Sequence, residues 1–338
     1  FYAGTLVIAG TIAFTQLHDP PGMAEAASIP PTRSLRDVLR DVRFQAACLL
    51  NFGTGWQSFG VRSALVPILI VTYLGQHPSW TGIAFAIAAV AQTASVLLDT
   101  PATVERALAL MAQAAAQGAQ LIVFPEAYIG GYPKGADFHI YLGARTPQGR
   151  AEYKHYFDAA VTVDGPEIAA LAQAAAQHRL HVVVGIIERD GGTLYCTVVY
   201  LGPEGQVLGK HRKLMPTALE RLVWGFGDGS TLKAVDTPWG KLGAVICWEN
   251  YMPALRLAMY QQRVTIYCAP TADDRDTWAS TMTHIALEGR CFVLSACQHL
   301  RRTQFPDAQM HNALPEAADG MLMRGGSLII DPLGRKLA

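Results

Sequence analysis

The chain has 338 residues, 27 Lys plus Arg against 27 Asp plus Glu, and a formal net charge of zero. That length fits one large domain with an extra segment, and the balanced charge with no basic stripe argues against a nucleic-acid partner. Six scattered cysteines without a Cys-x-x-Cys pair read as free thiols of an intracellular-type protein, and no metal-ligand motif is present.

The first 90 residues contain no lysine and carry three apolar stretches, 1–17, 44–74 and 80–98. The last two reach the roughly 20 residues that cross a bilayer core. Between the first two lies a loop with Arg33, Arg36, Arg40 and Arg43, which the positive-inside rule places in the cytoplasm. Gly53, Gly55 and Gly60 suit close helix packing, whereas Arg62 within a span would need a polar cavity. Residues 1–17 lack the basic start and small-residue cleavage site of a signal peptide. Residues 88–98 compete between a membrane span and a strand. The strand reading is preferred, because Thr100 then caps a helix with Pro101 at its first position.

From there apolar runs alternate with Ala-rich helical patterns. Helices are expected over 103–117, 166–178, 252–260 and 281–290, and strands over 119–124, 181–187, 193–201, 243–246, 264–269, 291–296 and 326–331. Such alternation predicts a layered α/β fold.

Three of these runs end in chemistry. Residues 119–124 lead into Pro125-Glu126, and a carboxylate leaving a buried strand can be tuned as a general base. Lys213 closes Lys210-His-Arg-Lys213 before an irregular stretch, where a buried ammonium can stabilise developing negative charge. Cys247 stands at the end of its strand and the entrance of a helix-like stretch, where backbone N–H groups can lower a thiol's pKa. Each residue alone has a plainer role: a buried cysteine, a turn-capping glutamate, a solvated lysine. Together they can converge at one sheet edge.

These residues lie in motifs that resemble the nitrilase branch of the carbon-nitrogen hydrolase superfamily. The matching motifs are Phe124-Pro-Glu-Ala127, Lys210-His-Arg-Lys-Leu-Met-Pro-Thr217 and Val245-Ile-Cys-Trp-Glu-Asn-Tyr-Met-Pro253, supported by Ala269-Pro-Thr-Ala-Asp273 and His284-Ile-Ala-Leu-Glu-Gly-Arg290. The resemblance implies a four-layer α-β-β-α sandwich over residues 86–338. It implies Glu126 as general base, Lys213 as charge stabiliser, Cys247 as nucleophile and Glu220 as a second carboxylate beside the cysteine. For Glu220, a surface pair with Arg221 is the competing explanation. Tyr132, Trp224, Trp248 and His284 are candidate pocket residues. His284, on its helix, also fits a structural hydrogen-bonding role.

The implied reaction converts a small organic nitrile to its acid and ammonia, without metal or organic cofactor. A cyanide- or amide-hydrolysing relative is the alternative, though Cys-Trp-Glu is typical of nitrilases rather than of aliphatic amidases. Family members form homodimers or larger assemblies through their outer helices. A C-terminus cut short of a further strand would put that association in doubt. Residues 1–85, through 51–67 above all, resemble a fragment of a major facilitator transporter. Two or three spans fall short of the about twelve that transport requires, which leaves an inactive membrane-associated fusion as the reading from another class. The hydrolase part is expected in the cytoplasm, with membrane association through residues 1–85.

Overall fold

The computed structural model describes residues 94–338 apart from Glu316 and Ala318. The apolar stretches of residues 1–85 and Cys48 fall outside the described residues. Among the described residues, no helix is long and apolar enough to cross a membrane.

Residues 94–98 do not form the expected strand; the remainder of that prediction, 88–93, lies outside the described residues. Side chains have taken the backbone groups a sheet would use. Gln298 Oε1 accepts from Ser95 N at 3.0 Å, and Thr103 Oγ1 accepts from Val96 N at 2.9 Å. Leu98 then turns the chain at φ +66°. Helix α1 follows over Thr100–Ala116, three residues earlier than its pattern suggested. Its cap is Asp99, which accepts from Ala102 N at 2.9 Å, and not Thr100. Thr100 lies inside the first turn and donates to Ala159 O, so its hydroxyl is spent on a tertiary contact.

The first sheet has four strands in sequence order: β1 (Leu121–Val123), β2 (His181–Asp190), β3 (Thr193–Leu201) and β4 (Val207–Arg212). β1 runs parallel to β2, and the rest is antiparallel. Between β1 and β2 lie α2 (Pro147–Ala159) and α3 (Pro166–His178). The second sheet contains β5 (Val235–Thr237), β6 (Gly240–Ala244), β7 (Val264–Cys268), β8 (Phe292–Ser295) and β11 (Leu328–Ile330), ordered β11-β8-β7-β6-β5. Helices α4 (Pro253–Gln261) and α5 (Thr277–Gly289) provide its crossovers. A two-stranded ribbon, β9 (His299–Arg301) with β10 (Met321–Arg324), completes the set.

The inner strands of each sheet, β2 and β3 in one and β7 and β8 in the other, are buried on both faces, which is why they read as nearly continuous apolar runs. Val182, Val184, Ile186, Val199 and Leu201 pack against Leu110 and Met111 of α1 and Ile168 and Leu171 of α3. In the second sheet Tyr267, Val293 and Leu328 pack against Met259 of α4 and Met282 and Ile285 of α5. The alternate residues, among them Val183, Val198 and Tyr200 on one sheet and Ala244, Ile266 and Leu294 on the other, are also buried. Strand alternation turns these away from the helices and toward the opposite sheet. Tyr200 OH accepts from Ala244 N at 2.9 Å, a hydrogen bond from one sheet to the other. The order is therefore helices, sheet, sheet, helices, and the strand ends at one edge of the paired sheets carry Glu126, Lys213 and Cys247.

Candidate active site

Glu126 leaves β1 through Pro125 and is fully buried. Its Oε1 accepts from Lys213 Nζ at 2.7 Å, and its Oε2 accepts from Ala272 N at 2.9 Å. Gln298 Nε2 donates to the Glu126 carbonyl at 3.0 Å and holds the backbone in place. The turn presses on Gly185 of β2. A Cβ there would collide with the Pro125 carbonyl oxygen and lie 2.7 Å from Ala127 N. We expect Gly185→Ala to destabilise the chain by about 1–3 kcal/mol, seen as a lower denaturation midpoint. It should also reduce kcat by displacing Glu126. An unchanged midpoint and kcat would show that this contact does not set the turn.

Lys213 follows β4, anchored by its own N–H on Cys196 O at 2.8 Å and by Gly227 N on its carbonyl at 2.8 Å. Its buried ammonium donates to Glu126 Oε1 and to Glu220 Oε2, each at 2.7 Å, and lies 5.7 Å from the centre of the Trp224 ring. Burial alone would lower its pKa, but the neighbouring carboxylates, Glu126 first and then Glu220, help outweigh burial and raise it well above the ordinary value. Lys213 is a cation throughout the neutral range.

Glu220 occupies a short 3₁₀ turn, Ala218–Leu222, and its N–H donates to the Thr217 carbonyl at 3.0 Å. Thr217 N donates to its Oε2 at 2.6 Å, and Tyr132 OH donates to its Oε1 at 2.8 Å. The pairing with Arg221 is not formed, since the Arg221 guanidinium donates to Pro216 O.

Cys247 opens a second 3₁₀ turn, Cys247–Tyr251, and has φ +50°, a left-handed conformation that costs a non-glycine residue about 1–3 kcal/mol. The surroundings fix that turn from every side. Cys247 N donates to Pro270 O at 2.9 Å, and Asn250 Nδ2 donates to Cys247 O at 2.7 Å. Thr271 Oγ1 lies 3.2 Å from the sulfur and donates to it. Glu249, also buried, accepts from Ile246 N at 2.8 Å and from Leu214 N at 2.6 Å, tying the cysteine turn to the Lys213 strand. His211 supports the same carboxylate at 3.1 Å. The expected lowering of the thiol pKa at a helix entrance is overturned. Burial, then Glu126, push it up, and Lys213 offsets them only in part. The resting group is a thiol beside a base.

The sulfur opens on a cavity of about 230 Å³ lined by Tyr132, Lys134, Glu220, Trp248, Asp273 and Arg275. Trp248 Nε1 donates to Asp273 Oδ2 at 2.8 Å, and the Arg275 guanidinium lies 4.8 Å from its ring centre. A second cavity of about 470 Å³ shares Tyr132, Lys134 and Glu220 and continues along apolar walls, Phe138, Leu222 and Trp224. A buried thiol, a carboxylate and an ammonium meeting at such a cavity can carry out nucleophilic addition followed by hydrolysis.

A sequence profile of the carbon-nitrogen hydrolase family matches residues 87–338. The chain belongs to the carbon-nitrogen hydrolase family. An aliphatic nitrilase of Sinorhizobium fredii (strain HH103) is 61% identical over 251 residues, covering 74% of this chain and 81% of that protein. A bifunctional nitrilase/nitrile hydratase of Lupinus angustifolius is 54% identical over 258 residues, covering 74% of this chain and 73% of that protein. Among solved structures, a carbon-nitrogen hydrolase of Helicobacter pylori G27 aligns with a TM-score of 0.56 at 17% identity, covering 73% of this chain and 82% of that one. That last likeness concerns the fold alone.

Of the site residues expected for this carbon-nitrogen hydrolase, Glu126, Lys213, Glu220 and Cys247 meet at one place, with Tyr132 and Trp248 on the cavity wall. Trp224 lines the second cavity and is held through its Nε1 on Tyr156 OH at 3.1 Å. His284 is not in the pocket: its side chain is 62% exposed on α5 and pairs with Glu288 at 3.5 Å. The core stripe of that helix, Trp278, Met282, Ile285 and Ala286, leaves His284 on the outer face. Glu249 and Thr271 were missed as site residues, because their importance lies in contacts across the chain. Among the described residues, the five cysteines are free and buried.

Proposed function

We propose that this chain hydrolyses an organic nitrile to its carboxylic acid and ammonia, with Cys247 as nucleophile. The observation that carries the reading is the convergence of the Cys247 thiol with a Lys213 ammonium clamped between Glu126 and Glu220. The named activities of the nitrilase relatives support the substrate class.

Glu126 takes the proton from Cys247 Sγ as the sulfur adds to the nitrile carbon, and that proton passes to the nitrile nitrogen to give a thioimidate. Lys213 stabilises charge on the nitrogen. A water activated by Glu126, with Glu220 helping to position it, adds to the same carbon. Ammonia leaves and a thioester remains. A second water displaces the Cys247 sulfur, releases the acid and returns the proton to the thiol. Two waters enter, and one acid and one ammonia leave. In the same reading, copies of the chain associate through their outer helices.

The test is ammonia and acid release from a panel of aliphatic and aromatic nitriles and the matching amides. Equal ammonia and acid from nitriles supports the reading. Ammonia from amides but not from nitriles overturns it in favour of an amidase.

The acid limb of the pH profile follows from Glu126. Burial, the largest influence, raises its pKa above the ordinary 4.5 even against the attraction of Lys213. Below the raised value the carboxyl already holds a proton and cannot accept one from Cys247. We therefore expect kcat/KM to fall with decreasing pH along a limb centred above 4.5. A limb centred at or below that value would remove Glu126 as the base.

A further inference from the structure

Beyond the catalytic cavity, two loops bring a second set of polar groups together. Asp137 and His139 come from the segment between β1 and α2, and His311 from the segment between β9 and β10. One ligand-type atom from each lies within 4.8 Å of the other two. Glu152 of α2 joins them, its Oε1 3.1 Å from His139 Nε2.

We propose that Asp137, His139 and His311 bind a divalent transition cation of the zinc type. Two imidazoles and a carboxylate match the preference of such ions, and ligand atoms at tetrahedral bonding distance from zinc stand about 3.3 Å apart. His311 Nδ1 is 3.3 Å from both Asp137 oxygens. His311 and Asp137 are half-exposed, so their side chains can close on an ion by rotation.

Glu152 is the independent observation. Its side chain is 7% exposed, and while one oxygen engages His139 the other is buried without a hydrogen-bond partner. A carboxylate holding the outer nitrogen of an imidazole is the arrangement that orients histidine ligands in metal sites. Asp137 and Glu152 each pair with an imidazole of the group, so both carboxylates lie against its two histidines.

The position gives the ion a consequence. The two loops are already tied by Ala313 N on Gly135 O at 2.7 Å and Asn312 Nδ2 on Lys134 O at 3.0 Å. Lys134, Asp137, Phe138 and Leu314 form part of the wall of the apolar cavity beside the catalytic one. An ion across Asp137, His139 and His311 fixes that wall.

The test is equilibrium dialysis of the full chain against zinc, with cobalt(II) absorption to report the ligand type. We expect saturation at one ion per chain and a cobalt spectrum of nitrogen and oxygen ligation. Binding should weaken by at least about tenfold in His139→Ala and in His311→Ala. His311 is half-exposed, so its replacement leaves the fold intact, and Asp137→Asn serves as a third variant. No saturable uptake from about 100 µM free zinc overturns the proposal, as does binding unchanged in all three variants. A thiolate-to-cobalt charge-transfer band would assign the ion to cysteine and overturn it too. Because the readout is bound metal, it stands or falls independently of the nitrile reading.

Discussion

Cys247→Ala is expected to abolish ammonia release from every nitrile that the parent chain turns over, a loss of at least about 10⁴-fold. The reason is positional as well as chemical. Cys247 is 4% exposed and held at the cavity by Pro270, Thr271 and Asn250, and among the described residues no other sulfur lines the cavity wall. Alanine adopts the same left-handed φ at the same modest cost, so the variant should keep its melting temperature. Cys247→Gly should melt no lower than Cys247→Ala despite its smaller side chain, since glycine accepts φ +50° without strain. Turnover within tenfold of the parent in Cys247→Ala would remove the nucleophile from the account.

Lys213→Ala should damage both activity and stability. It leaves Glu126 fully buried and Glu220 mostly buried without the ammonium they share. Breaking a buried pair by removing one partner costs about 3–5 kcal/mol, because the remaining charge is stranded. The sign follows from the lysine: its folded pKa is raised above 10.5, so its stabilising contribution is complete below that value. It is lost only as pH rises through the folded value. The full penalty should therefore appear in denaturant melts at pH 7. As pH falls through the raised Glu126 value, the stranded Glu126 carboxylate takes up a proton and the difference from the parent should narrow. Adding Glu126→Gln to Lys213→Ala should recover part of the stability while leaving the chain inactive. Equal stability of parent and Lys213→Ala at pH 7 would mean that the clamp does not form.

Much of this arrangement was legible beforehand, and the reasons differ by element. β3 and α3 match their sequence patterns residue for residue, because a strand buried on both faces reads as an unbroken apolar run and an Ala-rich helix repeats at helical spacing. Glu126 and Cys247 each sit where an apolar run stops, whereas Lys213 follows the polar strand VLGKHR and was marked by its motif. α2 passed unnoticed: its sequence, PQGRAEYKHYFDA, is largely polar, and its buried face rests on Gly149, Glu152, Tyr156 and Ala159. The segment 94–98 looked like a strand because apolar spacing cannot reveal that Gln298, some two hundred residues away, claims the Ser95 N–H.

The site shows the same division. A motif can place Glu249 two residues beyond the nucleophile, but only the fold shows its carboxylate bridging Ile246 N and Leu214 N. The raised thiol pKa was also beyond the motif, because it follows from burial and from Glu126 in a different strand's turn. His284 is the opposite case. Helical spacing alone would have put it on the face away from Met282, Ile285 and Ala286, and proximity to a family motif was the weaker guide.

The central claim is a covalent intermediate on Cys247, and intact-chain mass spectrometry of an acid-quenched steady-state reaction with a turned-over nitrile tests it most directly. The account predicts a mass increment equal to the thioimidate or acyl group of that nitrile, mapped by peptide digestion to Cys247 and absent in Cys247→Ala. Rapid turnover with the increment on another cysteine, or continuing at the parent rate in Cys247→Ala, would contradict it.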